Sequence, residues 1–344
     1  MTSVVRRLNF PLKVELELTA RCNLRCQHCM VEHKNSGEGE LSGATIKSLI
    51  DDWSEEGLLE LQFTGGEPTI RPDFVDLVEY ACERGIKVLV SSNGTLIDEE
   101  LAERLGKSGA YVEISLDGGS AAVHEVIRGR NTFENTVSNA RRLRRHTRRL
   151  MMETVVHRIN FADLENIYEV VKSIGAYRYI IHNVRYIRHS LAHSDDLHLS
   201  LAQLEEIQAR AFALRQRNEI QVQPPYLPVA GYLRHSNESF PHGVFGCGGL
   251  RYKIGVKADG KLLPCLLFDD DHLLGDVRRQ SMRNVWNSSA AIDIYRQMHG
   301  AKPATCDSCA VSGKCGGGCP VAALSQGNGL GGSDLSCPVI SKSV

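Results

Sequence analysis

Polar and apolar residues alternate through Lys13–Leu18 (KVELEL), the period of a strand with one apolar face. A cysteine-bearing loop over 19–40 follows, then a helical pattern over 43–56. LLELQF (58–63) reads as a second strand running into a Gly-Gly turn at 65–66. Pro72 suits the first turn of a helix ending near Gly85. IKVLVS (86–91) is a buried type of strand, ended by Asn93-Gly94. A helix over 98–108, a strand over 110–116 and a helix over about 131–146 come next. Strands near 151–157 and 177–182 and helices near 163–173 and 200–216 complete the series.

Strand and helix thus alternate about six times over 13–222, which predicts parallel strands joined by right-handed crossovers. Residues 223–245, with Pro224, Pro225, Pro228 and Pro241, read as a linker. From 246 the chain is rich in glycine and cysteine, with one helix near 281–299. A segment so poor in periodic apolar surface needs staples to fold.

The chain has 344 residues, enough for two domains or one large α/β barrel with an appendage. With 42% hydrophobic and 24% charged residues it has the balance of an ordinary soluble globular protein. Forty basic against forty-one acidic residues leave a net charge of −1, which excludes a global electrostatic case for nucleic-acid or membrane binding. No run of about 18 apolar residues is present to span a bilayer. The start, MTSVVRRLNFPLKVELEL, lacks the apolar run and cleavage site of a signal peptide, so a cytoplasmic protein is expected.

The cysteines change the picture. Eleven are present, and in a reducing compartment clustered cysteines bind metal or do chemistry more often than they pair. Ten fall into groups at 22, 26, 29; 247, 265; 306, 309, 315, 319; and 337, while Cys82 stands apart. Three thiolates at Cys22, Cys26 and Cys29 can hold three irons of a cubane and leave the fourth iron open to a ligand that is not protein. A structural zinc would need a fourth ligand, for which His28 or His33 is at hand, and spacing alone leaves both readings standing.

About 35 residues on, Gly65-Gly66-Glu67-Pro68 ends the second strand. C-x3-C-x-φ-C after the first strand with GGEP after the second resembles the radical S-adenosylmethionine (SAM) superfamily, with His28 where an aromatic residue is usual. The resemblance implies that Cys22, Cys26 and Cys29 hold a [4Fe–4S] cluster whose open iron chelates SAM. It also implies that Gly65, Gly66 and Glu67 present backbone and carboxylate to the methionyl amino group. Glycines allow close backbone approach, and a carboxylate suits an ammonium. Ser92-Asn93-Gly94, Ser115-Leu116-Asp117-Gly118, His124 and Arg128-Gly129 are similar to stretches that lie near the cofactor in this family, which implies Asn93, Ser115 and Arg128 as cofactor contacts. Each also has a plain reading as a strand-end turn or helix cap.

Cys247-x12-Gly260-x4-Cys265, then Cys306-x2-Cys309-x5-Cys315-x3-Cys319-x17-Cys337, resembles the SPASM extension of these enzymes. Carried over, Cys306, Cys309, Cys315 and Cys337 close one auxiliary [4Fe–4S] cluster, and Cys247, Cys265 and Cys319 hold another. The fourth site of the latter is open or filled by water, Asp259 or substrate. A four-thiolate zinc ribbon of Cys306, Cys309, Cys315 and Cys319 is the alternative. The expected cofactors are three [4Fe–4S] clusters and SAM.

The fold expected is α/β: a partial (β/α)6 TIM-like barrel over 10–222, the linker 223–245 and a Cys-rich SPASM domain over 246–344, with chemistry at the C-terminal strand ends. The resemblance implies a 5′-deoxyadenosyl radical that takes hydrogen from substrate. A substrate radical that loses an electron is oxidised, whereas one quenched by a thiol is epimerised. Ten of eleven cysteines are claimed by clusters, and Cys82, the remaining one, reads as a small buried hydrophobe, so net oxidation is expected. The leading expectation is oxidative maturation, by cross-link or dehydrogenation, of a ribosomally made peptide. The cysteine loop begins at residue 22, so a separate peptide-recognition protein or direct docking is expected with it. The alternatives are a dehydrogenase or epimerase acting on a carbohydrate or aminocyclitol, and a non-catalytic zinc-binding protein. A flavodoxin or ferredoxin is the expected one-electron donor. The arginine run 141–149 reads as a solvated helix face, with an acidic docking partner as its second reading. His182, His189, His193 and His198 follow the sixth strand, and His182, at the strand end, is the substrate-side candidate.

Overall fold

The computed structural model describes residues 8–31, 34–185, 187, 194–225 and 246–300, and within 302–337 all but 303, 308, 313, 333, 335 and 336. Strands β1 (Lys13–Thr19), β2 (Glu60–Gly65), β3 (Lys87–Ser92), β4 (Tyr111–Ser115), β5 (Leu150–Val156) and β6 (Arg178–Asn183) lie side by side in chain order and all run parallel. Between them run α1 (Gly43–Glu55), α2 (Phe74–Glu83), α3 (Glu99–Ser108), α4 (Ala121–Arg128), α5 (Phe133–His146) and α6 (Leu164–Ile174). Local chemistry sets the helix ends. Ser42 accepts the Thr45 N–H to start α1, Asp98 accepts the Leu101 N–H to start α3, and Gly109 ends α3 at φ +79°.

The alternation in KVELEL has a specific meaning here. Val14, Leu16 and Leu18 are at most 1% exposed and face the helices. Lys13, Glu15 and Glu17 point the other way and line an internal cavity. Gln62, Ser91, Glu113 and Glu153 share that inner face on the neighbouring strands. The barrel therefore has an apolar outer face under its helices and a polar inner wall.

Four details differ from the pattern-based expectation. A seventh parallel strand, β7 (Gln221–Gln223), pairs with β6 and reaches into the segment read as linker, of which 226–245 lie outside the described residues. The C-terminal segment does not start its own sheet. Its first strand, β8 (Lys253–Val256), pairs in parallel with β1, and β9 (Lys261–Leu263) and β10 (Gly275–Asp276) extend the same ten-stranded sheet by antiparallel hairpins. The helix read over 281–299 is two, Met282–Trp286 and Ser289–His299, because Ser288 caps the second by accepting the Ala291 N–H. Helix α4 lies where turns alone were read, since two glycines flank its eight residues and mask a short apolar stripe. Trp286, fully buried, donates its indole N–H to the Leu8 carbonyl at 2.7 Å and so fastens the C-terminal segment to the chain's start.

Among the described residues no helix is long and apolar enough to cross a membrane. The arginines of α5 are engaged within the chain: Arg145 and His146 pair with Glu99, and Arg144 donates to the Gly175 carbonyl. That favours the solvated-face reading of the run.

Candidate active site

The cysteine loop rests on the end of β2. Gly66 N–H donates to the Thr19 carbonyl at 2.7 Å, and Glu67 N–H to the Arg21 carbonyl at 2.8 Å. A Cβ on Gly65, at φ +148°, would stand 2.3 Å from Thr19 O. One on Gly66 would stand 2.2 Å from Arg21 O and 3.0 Å from Cys22 Cβ. Only glycines let the two segments meet. Within the loop, Cys29 N–H closes a turn on the Cys26 carbonyl, and Leu24 N–H donates to Cys22 Sγ at 3.4 Å. Burial pushes all three thiols up, Cys26 to about 12. Three part-buried sulfurs whose thiolates are penalised fit a cationic metal centre, whose charge offsets that penalty.

Cys22, Cys26 and Cys29 line a cavity of about 860 Å³ together with Gly65, Gly66, Asn93, Ser115 and Arg128. Glu67 departs from expectation. It is fully buried, and its carboxylate is consumed by this chain: Oε1 accepts from Thr69 N–H, Thr69 Oγ1 and Ser92 Oγ, and Oε2 from Asn93 N–H. Burial raises its pKa in spite of these donors. The side chain thus ties strand ends together and does not face the cavity, which corrects its reading as a cofactor-binding carboxylate.

Arg128 and Asp117 form a buried pair, Nε to Oδ2 at 2.5 Å. Burial opposes the charge of Asp117, but the Arg128 guanidinium beside it outweighs burial and holds its carboxyl well below the usual range. His28 Nε2 lies 3.6 Å from Asp117 Oδ2, His28 stacks on His157 at 5.9 Å, and His124 Nδ1 accepts the Asp117 N–H. Burial drives these imidazoles down, His28 to about 3 and His124 and His157 to about 4, so all are neutral. His28 as a fourth zinc ligand is disfavoured by this contact with Asp117; His33 lies outside the described residues.

On the inner wall, Ser115 Oγ donates to Glu153 at 2.8 Å and Ser91 Oγ to Glu113 at 3.2 Å. His182 lines the cavity with Nε2 3.7 Å from Glu153 Oε2, and burial lowers its pKa. Sequence reading missed Glu113, Glu153 and His157. The signal for the two glutamates was their position, in phase with Ser115 on strands that are otherwise apolar. His189 and His193 lie outside the described residues, and His198 is exposed.

Cys82 is corrected as a candidate hydrogen donor. It sits half-buried on α2, packed against the outer core and bonded to Ser108 of α3, so the sheet separates it from the cavity.

The C-terminal cysteines fall into two sets. Cys247, Cys265 and Cys319 share an apolar cluster with Ile187, Leu263, Phe268 and Met298; Cys265 lies within electrostatic reach of both other sulfurs, and Cys247 of Cys319. Cys306 and Cys315 are both raised by burial and then by Cys337. Cys319 therefore lies with Cys247 and Cys265, away from the set a zinc ribbon would need. Asp259 is corrected as a ligand for the three-thiol set: it sits in the β8–β9 turn beside Lys261, at the far end of the hairpin from Cys265.

Residues 16–171 match the radical SAM superfamily model, and residues 247–310 match the SPASM iron–sulfur cluster-binding domain. The chain is 30% identical to a PqqA peptide cyclase from Rhodopseudomonas palustris, over 97% of this chain and 89% of that protein. It is 27% identical to an AdoMet-dependent heme synthase from Methanosarcina barkeri, over 91% and 90%. Its fold is similar to that of Streptococcus suis SuiB bound to its precursor peptide SuiA, with a TM-score of 0.79 at 19% identity, covering 97% of this chain and 77% of that one.

Proposed function

The chain belongs to the radical SAM superfamily and carries a SPASM iron–sulfur domain, and from that premise we propose that it oxidatively modifies a ribosomally made peptide. The observation that carries the reading is one cavity with two kinds of wall. Cys22, Cys26 and Cys29 line one part, while Gly246, Gly248, Lys253 and Leu266, which flank Cys247 and Cys265, line another. A substrate in that cavity lies between the thiol loop and the auxiliary thiols.

In this reading Cys22, Cys26 and Cys29 hold the SAM-binding [4Fe–4S] cluster. Cys306, Cys309, Cys315 and Cys337 hold a second, and Cys247, Cys265 and Cys319 a third. When reduced, the first cluster with SAM supplies a 5′-deoxyadenosyl radical. Gly65 and Gly66 open their backbone to the methionyl end, Asn93 and Ser115 offer polar contacts, and Arg128 lends positive charge beside the carboxylate. The barrel walls exclude bulk water from the radical. A flavodoxin or ferredoxin supplies the electron, and a separate protein recognises the peptide.

The PqqA cyclase relative supports the peptide. The heme synthase relative, aligned over nearly its whole length, favours a second reading, a small-molecule substrate.

The test is anaerobic reconstitution, then incubation with SAM and reductant in heavy water with extract of a host lacking this protein. A peptide losing two hydrogens supports the proposal, and a small metabolite losing two moves it to the second reading. One deuterium gained without oxidation overturns net oxidation. Alanine at Cys22, Cys26 and Cys29 should abolish 5′-deoxyadenosine while iron stays in the C-terminal domain.

A further inference from the structure

Two carboxylates on the inner wall are neutralised by lysines. Glu15 pairs with Lys253 at 2.6 Å, and Glu60 with Lys13 at 2.9 Å and Lys87 at 2.7 Å. Glu113 and Glu153 are different. They stand on paired strands, where Ser115 is opposite Glu153 and Glu113 is two residues back on the same face. One oxygen of each and a ring nitrogen of His182 all lie within 4.8 Å of one another. Among the described residues neither carboxyl has a lysine or arginine ion pair; each takes a serine hydroxyl instead.

Two carboxyls this close, one of them 6% exposed, cannot both ionise cheaply, and the pair retains a proton. Burial, then the charge of Glu153, pushes Glu113 up to about 8. Glu113 therefore holds a proton near neutrality, and Glu153 lines the cavity beside it. Lys13 and Arg178 face Glu113, Arg128 faces Glu153, and Arg185 and Asp117 face His182.

We propose that Glu153 is the catalytic proton acceptor of the oxidative reaction and that Glu113, beside it on the paired strand, is the residue that positions it. The inference rests on the net oxidation proposed above. A substrate C–H bond gives its hydrogen atom to the 5′-deoxyadenosyl radical, forming 5′-deoxyadenosine. The substrate radical then loses one electron to an oxidised [4Fe–4S] centre and one proton, from the neighbouring atom, to Glu153. The electron pair of the broken bond to hydrogen becomes the new bond. The substrate has lost two hydrogens, and Glu153 passes its proton on through His182.

The test uses the reconstituted holoenzyme and the peptide fraction of host extract. For Glu153→Gln, the ratio of two-hydrogen-loss product to 5′-deoxyadenosine should fall by about 100-fold or more. Glu153→Asp should restore part of the ratio. Glu113→Ala, which removes the neighbouring carboxyl, should lower the ratio, and Glu113→Gln, which matches the neutral carboxyl in shape, should restore most of it. Without substrate, infrared spectra of wild type at pH 7 should show a protonated carboxyl band that Glu113→Gln removes. An unchanged ratio in Glu153→Gln, with wild type forming product, overturns the assignment alone, as does absence of that band. A wild type that forms no such product overturns the oxidative reading, and the assignment with it.

Discussion

The carboxylate of Glu67 accepts the backbone N–H of Asn93 at 2.7 Å and so locks the end of β2 to the end of β3 directly beneath the cysteine loop. Three more donors, two from Thr69 and one from Ser92, fill its remaining lone pairs. Glu67→Gln turns an amide donor toward these donors. It should cost about 1–3 kcal/mol of stability, read from denaturant unfolding of the iron-loaded protein. A loss confined to SAM affinity, with unchanged stability, would return Glu67 to the cofactor.

Gly66 transmits that lock to the metal loop. An alanine Cβ would have to displace the Arg21 carbonyl and Cys22. Gly66→Ala should therefore lower bound iron by the content of one cluster and leave the iron of the C-terminal domain in place. Iron and sulfide assays with EPR of the reduced protein check this, and full iron content would show that the loop yields.

Acid should loosen the fold through His124 and His157. Both are buried and titrate near 4 in the folded chain, against about 6.5 when unfolded. Below pH 6.5 the unfolded chain takes up protons that the folded one refuses. Stability is thus full above that pH and falls toward pH 4, with these two rings contributing a slope approaching two protons. Asp117, held below its ordinary value, adds nothing in this window and fails only at lower pH. His157→Phe removes one titrating ring and two unpartnered nitrogens. Urea midpoints at pH 5, 6 and 7 should show it losing less stability on acidification than wild type.

Strand positions were legible because alternation and helix caps are local signals, as in KVELEL and at Asp98. The thiols were legible from spacing. Glu67 was misread because its partners, Thr69, Ser92 and Asn93, converge only after β2 and β3 pair. The continuity of β8 with β1 was hidden for the same reason: a four-residue strand 234 positions beyond β1's last residue carries no local sign of its neighbour. Glu113 and Glu153 looked like ordinary half-buried strand residues until closure of the barrel turned both inward.

Cys82 provides a check on the direction of the chemistry. Because the sheet separates it from the cavity, Cys82→Ser should change neither 5′-deoxyadenosine yield nor deuterium content of the product. Loss of a solvent deuterium in the product on this substitution would place the thiol within reach of substrate.

Lys253 links the barrel to the C-terminal thiols. The β8–β9 pairing sets Gly255 against Leu263, so two steps further the register brings Lys253 opposite Cys265. Gly249, whose N–H donates to Cys247 Sγ, bridges Lys253 from the other side. Burial works against the ammonium, yet Glu15 and the Cys265 thiol hold its pKa above the ordinary value. A fixed positive charge beside these sulfurs stabilises the more negative, reduced state of any cluster they carry. Lys253→Met should therefore lower the midpoint potential of that cluster in an EPR-monitored redox titration. It also strands the partly buried Glu15 and should destabilise the fold by up to about 3–5 kcal/mol. A second change, Glu15→Gln, should recover stability without restoring the potential. If the potential stays at the wild-type value in the double variant, Lys253 serves only to neutralise Glu15.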